Sequence, residues 1–258
     1  MKGWLRYYKL KKNMAISVDT VYQKVLAFAN KEQRGYITPQ EFNLFADQAQ
    51  MEIFEQYFYD INQFRRAPGN NHPYSDILSN LQEKIDLFNK RDHEATIVNT
   101  WGDIILNTSI PDLYRLGRIK VIYAGYDEAT AEYLNWEENM LYGKTPLTKY
   151  SKKRPMYNKF INSDGDDILK IRPYPENGVD IVQIFYTKKP TKPNWGYVVV
   201  NDKPFYNSNT STNFELHPSE ESELVYRILT FTGISIEKPL LVQAATQLEG
   251  TKQQQEKQ

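Results

Sequence analysis

The residues best placed to do chemistry fall into a few short groups. Residues 30–41 have the spacing of a calcium loop, with Gly35 sixth, Ile37 eighth and Glu41 twelfth. A calcium ion also needs oxygen ligands at the first, third and fifth places. Those hold Asn30, Glu32 and Arg34, and a guanidinium repels the ion. A helix start explains the same residues better: Gly35 makes a turn, Thr38 is the N-cap, Pro39 takes the first helical position and Glu41 completes a capping box. Asp164-Gly165-Asp166-Asp167 is an acidic cluster that suits a hard cation, but Asp-Gly between two β runs is first a hairpin signal. The three histidines, His72, His93 and His217, lack the spacing of a zinc site.

No phosphate-binding loop, dinucleotide fingerprint or Gly-x-Ser-x-Gly elbow occurs in the chain. A Ser-His-Asp triad or a glycosidase carboxylate pair is a spatial arrangement, so spacing leaves both open. With 32 acidic residues, some pair always looks plausible. No catalytic residue, metal ligand or cofactor is assigned, and the expectation is a protein that is not an enzyme. Two basic patches lie near aromatic residues: Lys152, Lys153 and Arg154, then Lys188, Lys189 and Lys192. Both suit DNA phosphates, although a solvated charged loop is the commoner role for such runs.

The elements that would position these residues change character along the chain. Residues 17–30 read as a helix on Val18, Val21, Tyr22, Val25 and Leu26. Residues 39–63 read as a second, on Phe42, Phe45, Ala46, Ala49, Ile53, Phe54 and Tyr57, ended by a loop at 67–73. A third is expected over 74–90. Short β runs follow, at 95–100, 102–106, 118–124, 159–161, 168–172, 179–187 and 196–200, separated by Pro, Gly, Asn and Asp. Residues 127–142 read as helical with Gly143 as the stop. Helix returns near Ser219, with Gly233 as an interruption, and again over 239–248. The expected fold class is α+β: N- and C-terminal helices (14–94 and 218–249) in one bundle, carrying an inserted, sandwich-like β-rich module (95–217). Residues 250–258 form a polar tail, expected to be disordered alone.

Composition sets bounds on function. The chain has 258 residues, and 32 Lys and Arg balance 32 Asp and Glu. Zero net charge argues against a protein that coats nucleic acid globally. There are no cysteines, so disulfides and thiolate chemistry are excluded. No apolar run reaches the roughly 20 residues that span a bilayer, and no membrane partner is expected. Residues 1–13 carry Lys2, Arg6, Lys9, Lys11 and Lys12 without an acid, which reads as a basic arm or as an extension upstream of a start at Met14. There are 19 tyrosines, whose apolar ring and polar tip suit surfaces covered on assembly.

Two stretches carry a resemblance. One is Val21 to Phe64, centred on Ala29-Asn30-Lys31-Glu32-Gln33-Arg34-Gly35-Tyr36-Ile37-Thr38-Pro39-Gln40-Glu41-Phe42-Asn43. The other runs from Tyr186 through Lys188-Lys189-Pro190-Thr191-Lys192-Pro193-Asn194-Trp195-Gly196-Tyr197 to Phe214-Glu215-Leu216-His217. Together they resemble virion structural proteins of tailed phages, crAss-like and marine short-tailed ones above all, and the plan is similar to head-to-tail adaptors.

The resemblance implies a connector: a ring of about twelve copies in the virion neck, assembled in the host cytoplasm. It implies as partners the portal protein, downstream neck or tail proteins and transient packaged DNA in the lumen. Portal or neighbour contact is implied for Thr246, Gln247, Leu248, Glu249 and Lys252 in the C-terminal segment. One rival is a carbohydrate- or receptor-binding module of a phage tail, with Trp136 and Trp195 lining an exposed groove. A second rival is a hydrolase with a carboxylate pair.

Overall fold

In a computed structural model the protein is described at residues 15–31, 37–66, 72–98, 101–142, 144–235, 246–248 and 251. The basic arm at 1–13, the centre of the calcium-like loop, the 67–71 turn and most of the tail lie outside these residues. The fold is α+β. The chain divides into two compact units, Met1–Leu87 with Pro190–Gln258, and Phe88–Lys189 between them in sequence. The expected module began at 95 and ended at 217, so both of its boundaries shift toward the N-terminus.

The first unit holds α1 (Val18–Lys31), α2 (Pro39–Arg66), α3 (His72–Asp86) and α6 (Glu221–Ser235), the last preceded by a 3-10 turn at Pro218–Glu220. Val18, Val21, Tyr22 and Val25 of α1 and Phe42, Ala46, Ala49, Ile53 and Phe54 of α2 are buried, as their spacing of three and four requires. Leu224, Val225, Ile228 and Leu229 of α6 complete the core, and α6 packs on both α1 and α2. The α2 start is a capping box: the Glu41 carboxylate accepts from the Thr38 amide and hydroxyl (3.0 and 2.8 Å), and the Glu41 amide donates back to Thr38 (3.3 Å). Gly233 does not interrupt α6, which runs to Ser235.

Residues 190–216 belong to this unit because α2 holds them by polar side chains. The Gln50 amide donates to the Thr191 carbonyl (2.9 Å) and accepts from the Glu215 amide (3.1 Å). Asn43 accepts from the Trp195 amide (2.7 Å) and donates to Asn194 (3.0 Å). Trp195 stacks among Tyr22, Tyr197 and Tyr206 and donates its indole N–H to Asp19 (2.9 Å). Gly196 sits so close to Thr210 that a Cβ would lie 2.1 Å from its hydroxyl. From this anchored segment rises a hairpin of β9 (Tyr197–Val200) and β10 (Lys203–Tyr206).

The second unit is built from two four-stranded sheets, in the orders β1-β8-β3-β4 and β2-β7-β6-β5. The strands are β1 (Asn89–Glu94), β2 (Asp103–Ile105), β3 (Leu113–Ile122), β4 (Ala129–Thr130), β5 (Glu132–Tyr133), β6 (Met156–Ile161), β7 (Asp167–Arg172) and β8 (Ile181–Lys188). Both sheets feed one core, with Ile119, Val121, Val182 and Ile184 from the first and Ile104, Leu169 and Ile171 from the second. Two short helices complete the unit, α4 (Leu106–Ser109) and α5 (Trp136–Tyr142).

Three expectations are corrected here. The third helix ends at Asp86 rather than near 90, and the next strand is Asn89–Glu94, not 95–100. Its six residues are all polar, as suits an edge strand held by pairing with β8, and it shows no apolar alternation to read. Residues 127–142 are not one helix: β4 pairs with β3, β5 pairs with β6, and only Trp136–Tyr142 is helical. Buried Ala129 and Ala131 alternate with exposed Thr130 and Glu132, a period of two that helix-forming residue types obscured. The segment thereby crosses from one sheet to the other.

Candidate functional site: a cation and tyrosine array

Strand register places the site residues of the second unit. Across β2, β7 and β6, Asp103 opposes Lys170 and Lys170 opposes Asn158; in the next row Arg172 opposes Met156, which opposes Glu132 of β5. Directly opposed residues share a sheet face, so these side chains lie on the face away from Leu169 and Ile171. Helix α5 lies against that face, where Trp136 meets the Phe160 ring edge-on.

Basic groups on this unit rest on aromatic rings. Arg172 lies 5.9 Å from the centroids of both Tyr150 and Tyr174. Lys170 lies over Tyr174 (5.8 Å), Lys149 over Tyr150 (5.9 Å), and Lys152 over Tyr123 (5.6 Å) and Tyr126 (5.3 Å). Trp101 meets Tyr174 edge-on at 5.9 Å. Lys170 also reaches Asp103 (3.4 Å). Lys149, Lys152 and Arg172 have no carboxylate partner among the described residues, which leaves each open to an outside anion. The Arg172 Nε is buried and has no hydrogen-bond partner among the described residues, and the same holds for both amide atoms of Asn158, which is 3% exposed.

The tyrosines carry their own electrostatics. Burial, and secondarily the charge of Asp180, raises the Tyr123 hydroxyl above its ordinary range; it donates to the Pro173 carbonyl (2.6 Å). Burial also raises Tyr157, aided by neighbouring Tyr133. Tyr186 is pushed up to about 12, first by burial and then by Asp112, whose carboxylate accepts its hydroxyl proton at 3.2 Å.

The residues singled out from the sequence fall in several places. Lys152 joins the array and Lys153 is exposed beside it. Arg154 is bound by Glu132 (2.8 Å), which also favours its charged form. Lys188 and Lys189 end the second unit, whereas Lys192 belongs to the first and pairs with Asp47 (3.5 Å). Trp195 is 2% exposed and lines no exposed groove, which corrects that expectation; Trp136 is 54% exposed.

Thr246, Gln247 and Leu248 form an exposed helical turn, while Glu249 and Lys252 lie outside the described residues. Asp164 to Asp167 form the expected turn: the Asn162 side chain accepts from the Asp164 and Asp166 amides (2.9 and 2.8 Å), and Gly165 has φ +87°. His217 caps the 3-10 turn by accepting from the Ser219 amide (3.2 Å), and His93 meets the Ser109 carbonyl (3.1 Å).

Sequence reading missed Lys170, Arg172, Tyr150 and Asn158. For Lys170 and Arg172 the signal is the alternation in Asp167–Arg172, where Ile168, Lys170 and Arg172 share the face opposite Leu169 and Ile171. It identifies a face but not what covers it. No protein-family model matches the chain, and no curated protein matches it.

Proposed function

We propose that the chain is a structural protein of a tailed-phage neck and not an enzyme. Copies close into a ring between portal and tail, and packaged DNA passes through the lumen. One observation carries the reading beyond the resemblance of sequence. The β9–β10 hairpin is apolar on both faces: Val198, Val199, Val200, Phe205 and Tyr206 are all exposed. Both of its long edges also lack a further strand among the described residues. An exposed apolar ribbon with open edges is a liability in a solitary protein and an interface in an assembly. The partner that fits is the neighbouring copy, since a heterologous contact repeated by rotation closes a ring. Thr246 to Leu248 and the residues after them would then contact the portal, and Lys149 and Lys152 of the array would face DNA phosphates in the lumen.

The test is mass photometry of the full chain mixed with its portal protein. A complex of about twelve copies is expected on the portal. Charging the hairpin by Val199→Asp with Phe205→Asp should abolish that complex while leaving the circular dichroism unchanged. A chain that stays monomeric on mixing, or a ring indifferent to the charged hairpin, sinks the proposal.

A further inference from the structure

A pocket of about 240 Å³ opens between α5 and the outer face of the β2-β7-β6-β5 sheet. Its lining is Trp136, Asn139, Met140, Lys144, Tyr150 and Arg172. Two of the six are cations and none is an acid. Arg172 lies 5.9 Å from the centroids of two tyrosine rings, forms no ion pair among the described residues and has a buried Nε with no hydrogen-bond partner among them. A planar guanidinium without an ion-pair partner is shaped for a carboxylate. The rest of the lining is of a different kind. Trp136 offers an exposed indole, Met140 an exposed thioether, and Asn139 a buried side-chain amide. Aromatic faces take the C–H face of a sugar ring, and amides take its hydroxyls. The volume suits one ring-sized unit.

We infer that this pocket binds a carboxylated sugar, a uronic-acid unit of a glycan, with the carboxylate on Arg172 and Lys144 and the ring beside Trp136. An acidic peptide would satisfy the cations, but it leaves the indole and the amide without a purpose, so the sugar acid is favoured. The site stands independently of the ring proposed above. A chain that assembles on a portal yet ignores the sugar would overturn only this inference.

The experiment is calorimetric titration of the full chain with four probes: glucuronate, glucose, inorganic phosphate and a glutamate-containing tripeptide. Glucuronate should bind saturably, and at least about tenfold more tightly than each of the others. Arg172→Gln and Trp136→Ala should each weaken glucuronate by about tenfold or more. Trp136 is exposed, so its removal leaves the fold intact and keeps the test decisive if the arginine variant misfolds. Lys192→Ala, in the other unit, should bind normally. Four results would overturn the inference: no glucuronate binding, glucose or phosphate binding as well as glucuronate, the peptide binding more tightly, or Trp136→Ala behaving as the parent.

Discussion

Buried polar side chains do different work at two places in the molecule, one in each unit. In the first, they are spent on holding the chain together. Gln50, fully buried, clamps both ends of residues 190–216, and Arg227 is bound by Glu223 (2.7 Å), Glu52 (3.3 Å) and Gln56. In the second, the core between the sheets is apolar, and polar groups sit on an outer face where some find no partner. Asn158 and the Arg172 Nε are two of them among the described residues. A polar group satisfied inside a protein supports the fold, whereas one buried and left unpaired costs stability and points to a ligand.

The largest expected effect is in the first unit. Trp195→Ala removes a buried ring packed against Tyr22 and its hydrogen bond to Asp19. It should cost about 3–5 kcal/mol. Hydrogen exchange should rise sharply through residues 190–216 and leave the β-sheets of the second unit protected. Equal loss of protection in both units would erase the distinction drawn above.

The next pair of changes has opposite signs. Gln50→Leu orphans the Thr191 carbonyl and the Glu215 amide and should destabilise by about 2–4 kcal/mol in urea titration. Asn158→Leu replaces an amide that has no partner, so it should be neutral or stabilising by about 1 kcal/mol. A similar loss from both substitutions would mean that Asn158 is as well satisfied as Gln50.

The smallest effect is confined to high pH. Tyr186 titrates near 10 unfolded and about 12 folded. The folded state therefore holds the proton more tightly, and this contribution is complete below pH 10 and disappears as pH rises through about 12. Tyr186→Phe should flatten the decline of stability across that window, read from urea midpoints at successive pH values. An unchanged decline would assign it to other groups.

How much of this could be read from the sequence depended on whether the cause was local. The α2 cap was readable because Thr38 and Glu41 meet three residues apart. The apolar stripes of α1 and α2 were readable because one face repeats at the helical period. The unit boundary at Lys189 was not, because Gln50 reaches Thr191 from 141 residues away. Nor was the pocket, since Arg172, Trp136 and Tyr150 converge only once β6 and β7 adopt their register. The β1 strand escaped notice for a different reason: an edge strand needs pairing partners and no apolar pattern of its own.

One detail of that edge strand reaches further. Asn89 pairs with Thr187, and the Lys188 amide donates to the Phe88 carbonyl at 2.9 Å. The two ends of the second unit are thus stitched to each other, and the hundred or so residues between them leave and return at a single point. Such a body is a cassette. It can be cut out and replaced by a short linker, or transplanted into another host loop, with its own ladder closing the gap.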